Sequence, residues 1–169
     1  WVVNLEAMET NRLSPGFLTQ RLAVETSIVE NQATQVRIEI ERMISCAEAR
    51  GPVEKAESYL VCGLADYEIK HNQWEVYLKK AIFLYPLGSL ARIWARWLLG
   101  AMQWNQPEKC KEAAENWEVA IHDLTHLHHL AEWNNQPKWV NYHAEKLSIM
   151  KDALVYQRKM LLSPVQEGN

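Results

Sequence analysis

Apolar residues recur at steps of three and four along almost the whole chain, and this period constrains the fold more than any other feature. Such spacing places apolar side chains on one face of an α-helix. Strand-like alternation occurs only briefly, at Val36, Ile38 and Ile40, inside a segment that otherwise follows the helical period. The sequence therefore predicts an all-α fold.

Capping and helix-breaking residues divide this pattern into segments. Ser14 and Pro15 have the form of an N-cap followed by proline in the first turn, and the next apolar residues predict a buried stripe of Phe17, Leu18, Leu22, Val24, Ile28 and Val29. A second stripe consists of Val36, Ile40, Met43, Ile44 and Ala47. Breaks are expected at residues 31–34, 51–52, 72–73, 86–88, 105–107 and 134–137. These breaks predict about seven or eight helices. Because the connections are short, neighbouring helices should pack antiparallel.

Large and small residues alternate in a regular order in the second half of the chain. In the clearest copy they stand at steps of 3, 1, 3, 9, 4 and 3, at Trp97, Gly100, Ala101, Trp104, Ala113, Trp117 and Ala120. This spacing resembles the tetratricopeptide (TPR) repeat, in which small residues let two helices approach and large ones fill the space between hairpins. Two looser copies stand at Tyr59, Cys62, Gly63, Tyr67, Trp74, Leu78, Ala81 and Pro86, and at Trp139, Tyr142, His143, Ala153, Met160 and Pro164.

The repeat pattern predicts the domain organisation. We expect antiparallel helical hairpins stacked as a TPR-like repeat over residues 53–164, preceded by N-terminal helices in residues 1–50. Residues 1–169 would then form a single helical-repeat domain. The chain begins with Trp1 rather than Met, so we expect it to be a fragment of a longer chain.

Charge and composition exclude several classes of protein. The 18 Lys and Arg residues oppose 21 Asp and Glu, for a formal net charge of −3, so the chain lacks the cationic field that attracts nucleic acid. No apolar run approaches the roughly 20 residues needed to cross a bilayer. Six glycines form no phosphate-binding loop. We expect no bound nucleic acid, no membrane span in this fragment and no cofactor.

The cysteines indicate neither disulfides nor catalysis. Cys46, Cys62 and Cys110 are odd in number and widely spaced, which favours buried, reduced thiols in the cytosol. No His or Asn signature accompanies them, and no G-x-S-x-G nucleophile elbow occurs in the chain. We therefore predict no catalytic residue.

A narrower resemblance covers several short segments. Residues 91–97 read Ala-Arg-Ile-Trp-Ala-Arg-Trp, Met-Gln-Trp follows at 102–104, and an acidic, alanine-containing helix comes next. These segments, with residues 15–20 and 56–60 in the same order, resemble the C-terminal regulatory region of the SREBP family of membrane-tethered transcription factors. The resemblance implies a domain at the cytosolic face of the endoplasmic reticulum membrane. It also implies binding to the WD40 propeller of the sterol-sensing escort protein SCAP.

Three histidines share one predicted helical face. His122 and His126 are four residues apart and His129 follows three further on, while His128 lies off that face. The first two resemble the HExxH motif of zinc proteases, but Asp123 replaces the glutamate that acts as general base. An exposed histidine cluster near a helix C-terminus is the more ordinary interpretation. We expect no metal ligand here, and a zinc-dependent hydrolase remains the remote alternative.

Two features are candidates for binding a partner. An acidic ridge is predicted on one helix, at Glu108, Glu112, Glu115 and Glu118. Such a ridge is usually a solvated face, here partly offset by Lys109 and Lys111, but it also suits a basic patch on another protein. Arg92 and Arg96 on the preceding helix are alternative partners for it. Trp133, beside the predicted loop at 134–137, is a candidate aromatic anchor.

These observations predict a non-enzymatic protein–protein interaction domain. Its specific form is an SREBP-like regulatory domain that binds a SCAP-like WD40 propeller carrying a basic patch. The alternative is a generic TPR-type adaptor in a multiprotein complex. The oligomeric state stays open.

Overall fold

The computed structural model describes residues 13–163, and this part of the chain contains seven α-helices and one short 3-10 helix. The α-helices are α1 Pro15–Val29, α2 Ala33–Ala47, α3 Pro52–Glu68, α4 Trp74–Leu84, α5 Leu90–Gln103, α6 Cys110–Trp133 and α7 Pro137–Leu162. The 3-10 helix Pro107–Lys109 precedes α6. No β-strand occurs within residues 13–163, and the predicted all-α fold is confirmed.

Each helix begins and ends near the residues that the sequence indicated. The Ser14 hydroxyl accepts a hydrogen bond from the backbone N–H of Phe17 at 3.3 Å, as an N-cap does. Asn31 and Asn135 adopt φ of 55° and 52° in the breaks after α1 and α6. Asparagine tolerates this left-handed conformation better than most residues. Local turn chemistry therefore set the boundaries in these places.

The chain divides into two compact units, Trp1–Ala95 and Arg96–Asn169, and the division falls inside α5. In the first unit α1, α2 and α3 pack together around a core of Phe17, Val24, Val36, Ile40, Met43, Val61, Cys62 and Ala65. In the second unit α6 and α7 pack against each other. The organisation expected from the sequence, a single domain with N-terminal helices in residues 1–50 and hairpins over residues 53–164, stays a prediction.

Only half of the stripe predicted for α1 is buried. Phe17 and Val24 are fully buried and Ile28 is partly so, whereas Leu18, Leu22 and Val29 are exposed. The two sets occupy different sides of the helix, because residues seven apart share a face and adjacent residues do not. The prediction for α2 is more accurate, with Val36, Ile40, Met43 and Ala47 buried and Ile44 half-buried.

The helices α3 and α4 form the first hairpin that the repeat pattern predicts. A Cβ atom on Gly63 would lie 2.8 Å from Cγ of Leu78 and 3.1 Å from the backbone oxygen of Trp74. The Tyr67 and Trp74 rings meet edge to face, with centroids 5.3 Å apart. Glycine thus permits the close approach of the two helices at this point.

The second hairpin joins the end of α5 to α6, within the unit Arg96–Asn169. The indole of Trp117 stacks on Trp97 with centroids 3.9 Å apart, and its Nε1 donates to the backbone oxygen of Trp97 at 2.9 Å. A Cβ atom on Gly100 would lie 2.4 Å from Cδ1 of Trp117. Trp104 meets the same indole edge to face at 5.6 Å. The residues of the clearest repeat copy therefore come together as predicted.

The third repeat copy has a different structure within the described residues. Trp139, Tyr142, His143, Ala153 and Met160 all lie on the single helix α7 rather than on two helices of a hairpin. No glycine or proline interrupts residues 138–162, so nothing in the local sequence ends the helix. Pro164 lies outside the described residues. The structure of residues 13–163 thus contains two hairpins of the predicted kind, followed by the long α6–α7 pair.

Candidate protein-binding surface

The acidic ridge begins on the 3-10 helix and continues along the first half of α6. Glu108 belongs to the 3-10 helix, and Glu112, Glu115 and Glu118 belong to α6. Glu112 is half-buried, while the other three are exposed. Carboxylates in the first turn of a helix are also favoured by the helix dipole. The ridge therefore presents acidic side chains to solvent, as the sequence predicted.

A basic residue of α7 reaches one end of this ridge. The guanidinium of Arg158 donates from Nη2 to Oε1 of Glu118, and each side chain is about half exposed. A surface pair of this kind contributes at most about 1 kcal/mol to stability. Forty residues separate the two, so no local pattern could indicate their contact.

The two arginines considered as partners for the ridge each donate a hydrogen bond in the structure. Arg92 donates from Nη1 to the backbone oxygen of Tyr85 at 3.3 Å, and Arg96 donates from Nη1 to Oδ1 of Asn116 at 3.3 Å. Asn116 also donates from Nδ2 to Oε1 of Gln103 at 2.7 Å. These contacts place both arginines in the packing of α5.

Trp133 is the last residue of α6, and 88% of its surface is exposed. A fully exposed indole is unusual, because burial of such a large apolar side chain is strongly favourable. Glu115 stands 18 residues earlier on the same helix, which corresponds to about 27 Å along its axis. The structure therefore separates the two candidates, with the ridge near one end of α6 and Trp133 at the other.

Beside Trp133 the structure assembles an aromatic cluster that the sequence analysis did not find. His128 on α6 meets His143 on α7, with ring centroids 6.4 Å apart. Trp139 stacks on His143 at 5.9 Å, and Tyr142 lies edge-on to Trp139 at 5.8 Å. Trp139 had been expected to pack between hairpins, but it lies partly exposed at the start of α7.

The helical period does contain a signal for this cluster. His128 continues the buried stripe of α6, which includes Leu124 and Ala131, and His143 begins the buried stripe of α7, which includes Leu147, Met150 and Leu154. His143 thus occupies a core position, and the half-buried His128 lies at the edge of one. His122, His126 and His129 share another face.

Burial governs the electrostatics of the cluster. His143 is 5% exposed, and its Nδ1 has no hydrogen-bond partner. Burial, and then the neighbouring His128, lower the pKa of His143 below its ordinary value. His128 lies 3.4 Å from Oε1 of Glu132 through its Nε2, while its Nδ1 is also buried without a partner.

The histidine face considered for zinc is open to solvent. His122, His126 and His129 are all exposed, and His122 and His129 instead lie near carboxylates, Asp123 and Glu132, at 3.2 Å each. No group of three His, Cys, Asp or Glu side chains among residues 13–163 is placed to hold a metal ion.

The three cysteines are free, but they differ in environment. Cys62 and Cys110 are buried as expected, whereas Cys46 is exposed and the prediction for it is wrong. Cys46 is one position before Ala47, so it lies beside the buried stripe of α2 rather than on it. Hydrogen bonding from Gln20, and then Ser45, lowers the pKa of Cys46, while burial raises that of Cys62 to about 12.

No family model matches the chain, and neither a curated protein nor a solved structure is significantly similar to it. Within residues 13–163 there is also no helix whose length and hydrophobicity would suffice to span a bilayer.

Proposed function

We propose that this chain is a non-enzymatic helical-repeat domain that binds another protein. The observation that carries the proposal is the repeated hairpin packing, in which Gly63 faces Leu78 on α4 and Gly100 faces Trp117 on α6. In helical repeats the packing residues hold the helices together and leave the outer faces to contact a partner. Function then belongs to a surface rather than to a small catalytic site.

Two exposed features support this proposal. The acidic ridge offers carboxylates to a basic surface, which would accelerate association and select against acidic partners. Trp133 offers a large apolar side chain, and tryptophan is enriched among the residues that contribute most to protein interfaces. Because the two lie at opposite ends of α6, they would contact separate parts of one partner.

In its specific form, we propose an SREBP-like regulatory domain that binds the WD40 propeller of a SCAP-like escort protein at the cytosolic face of the endoplasmic reticulum. This form depends on the resemblance of residues 91–97 and 102–104 and on the acidic ridge, which would face a basic patch of the propeller. The generic form is a TPR-type adaptor in a multiprotein complex, which the hairpin packing favours equally.

A direct binding measurement tests the specific form. We expect a purified SCAP WD40 domain to bind this chain, and the double variant Glu108→Lys and Glu115→Lys to weaken binding by at least tenfold, equivalent to about 1.4 kcal/mol. The matched control, Glu30→Lys and Glu145→Lys, changes the net charge equally at exposed positions that do not belong to the ridge and should bind as the native chain does.

The outcomes separate the alternatives. Equal weakening by both double variants would assign the effect to net charge and contradict the ridge as the binding surface. Absence of binding by the native chain would contradict the specific form. The variant Trp133→Ala should weaken binding without changing its salt dependence, because an apolar contact is not screened by ions.

A further inference from the structure

The pair His128 and His143 occupies an unusual position for histidines. His143 belongs to the buried stripe of α7, His128 is half-buried on α6, and the two rings meet edge to face across the α6–α7 pair. Protein cores ordinarily place aliphatic or hydrogen-bonded polar side chains at such positions, because an unpaired buried polar group costs free energy. Here the Nδ1 atoms of both rings are buried without a hydrogen-bond partner.

The surroundings of the pair offer little compensation for a positive charge on His143. The rings that contact it are His128 from α6, and Trp139 and Tyr142 from its own helix. Lys146 lies over the Tyr142 ring at 5.5 Å and brings a further positive charge to the same cluster. The carboxylate of Glu132 already contacts His128 and the exposed His129.

We propose that the His128–His143 contact makes the tip of the α6–α7 pair a pH-sensitive element, closed near neutral pH and opened when mild acid charges the buried His143. An imidazolium at this position loses its hydration and gains no hydrogen-bond partner at Nδ1. Trp139, which stacks on His143, is released in the open state. The proposal does not depend on which partner the chain binds.

The direction of the pH dependence follows from the lowered pKa of His143. In an unfolded segment this histidine titrates near about 6.5, so the open state binds the proton more tightly than the closed one. The stabilisation of the closed state by neutral His143 is therefore fully present above that pH. It is lost as the pH falls from there through the lower pKa of the closed state.

The opening should remain local. Beyond the pair, α6 and α7 pack against each other, and the nearest buried side chains are Leu124 on α6 and Leu147, Met150 and Leu154 on α7, none of which titrates. Before the start of α7, the loop that joins it to α6 consists of residues 134–136 alone. Asn135 in this loop adopts the left-handed conformation. Residues 137–146 can consequently open while residues 147–162 stay packed.

Hydrogen exchange of the whole chain tests the proposal. Protection of residues 137–146 is compared with that of residues 147–162 in one sample at about pH 7.5 and about pH 5.0, on either side of the ordinary histidine pKa. Because both segments belong to α7 in the same sample, the ratio of their protection removes the intrinsic effect of pH on the exchange rate. We expect protection of the first segment to fall several-fold relative to the second at the lower pH.

Variants identify the groups responsible. His143→Phe keeps an aromatic ring in the stack but cannot be charged, so its relative protection should not depend on pH. His122→Phe, which replaces an exposed histidine of α6, should behave as the native chain does. A pH effect that persists in His143→Phe, or that is absent from the native chain, would overturn the proposal.

A second measurement needs no variant. Titration of the His143 ring signals by nuclear magnetic resonance should show a pKa below the ordinary histidine value of about 6.5. A pKa of His143 at or above that value would contradict its proposed role. The SCAP-binding proposal is tested separately, since neither experiment contains a partner.

Discussion

At the scale of single residues, two glycines decide how closely the helices of each hairpin approach. Gly63 and Gly100 face a side chain at distances too short for any Cβ atom, whereas Gly16 and Gly51 have no atom within 4 Å of that position. The sequence shows all four as the same residue. Only the neighbours in space distinguish a glycine needed for packing from one that is merely tolerated.

We predict that Gly100→Ala lowers the free energy of unfolding by about 1–3 kcal/mol, the usual cost of overpacking a core. The Cβ atom would overlap the stacked indole of Trp117, and the Ala113 backbone oxygen lies 3.0 Å away. Chemical denaturation followed by circular dichroism measures the loss. Gly16→Ala, in open space on α1, should leave stability unchanged or raise it slightly. Equal stability of the two variants would refute the close approach.

At the scale of helices and connections, one buried carboxylate organises the link between α3 and α4. Asp66 is 2% exposed and accepts hydrogen bonds from the backbone N–H of Gln73 through Oδ2 and from Nδ1 of His71 through Oδ1, at 2.7 Å each. The first of these satisfies an N–H group at the start of α4, which otherwise has no side-chain cap. The contact joins the end of one helix to the beginning of the next.

We expect Asp66→Ala to destabilise the chain by about 0.5–2 kcal/mol, because the Gln73 N–H at the start of α4 loses its partly buried acceptor. Thermal unfolding measures the effect. Glu68→Ala, two residues later and exposed, is the matched control and should change stability by less than about 0.5 kcal/mol. If both substitutions had the same effect, the capping contact would not be the cause.

At the scale of the whole molecule, each of the two units contains one buried cysteine. Cys62 belongs to Trp1–Ala95 and Cys110 to Arg96–Asn169, while Cys46 is exposed in the first unit. The thiol of Cys62 donates to the backbone oxygen of Ile40, and that of Cys110 to the oxygen of Gln106. The reactivity of these thiols therefore reports on the folded state of each unit separately.

We predict that a thiol reagent modifies Cys46 alone in the native protein and all three cysteines in denaturant. The exposed thiol, with its lowered pKa, forms the reactive thiolate more readily, whereas burial opposes ionisation of Cys62. Mass spectrometry of the labelled peptides measures this. Rapid native labelling of Cys110 would contradict the packing of the second unit.

The sequence alone determined the helical class, the helix boundaries and the residues of the two hairpins, because these depend on local periodicity and turn chemistry. It also identified the acidic ridge and the exposed position of Trp133. Only the tertiary structure decided which face of α1 is covered, that the third repeat copy is one helix, and that Arg158 reaches Glu118. The same holds for the contact of His128 with His143, since residues far apart in sequence become neighbours only when the helices pack.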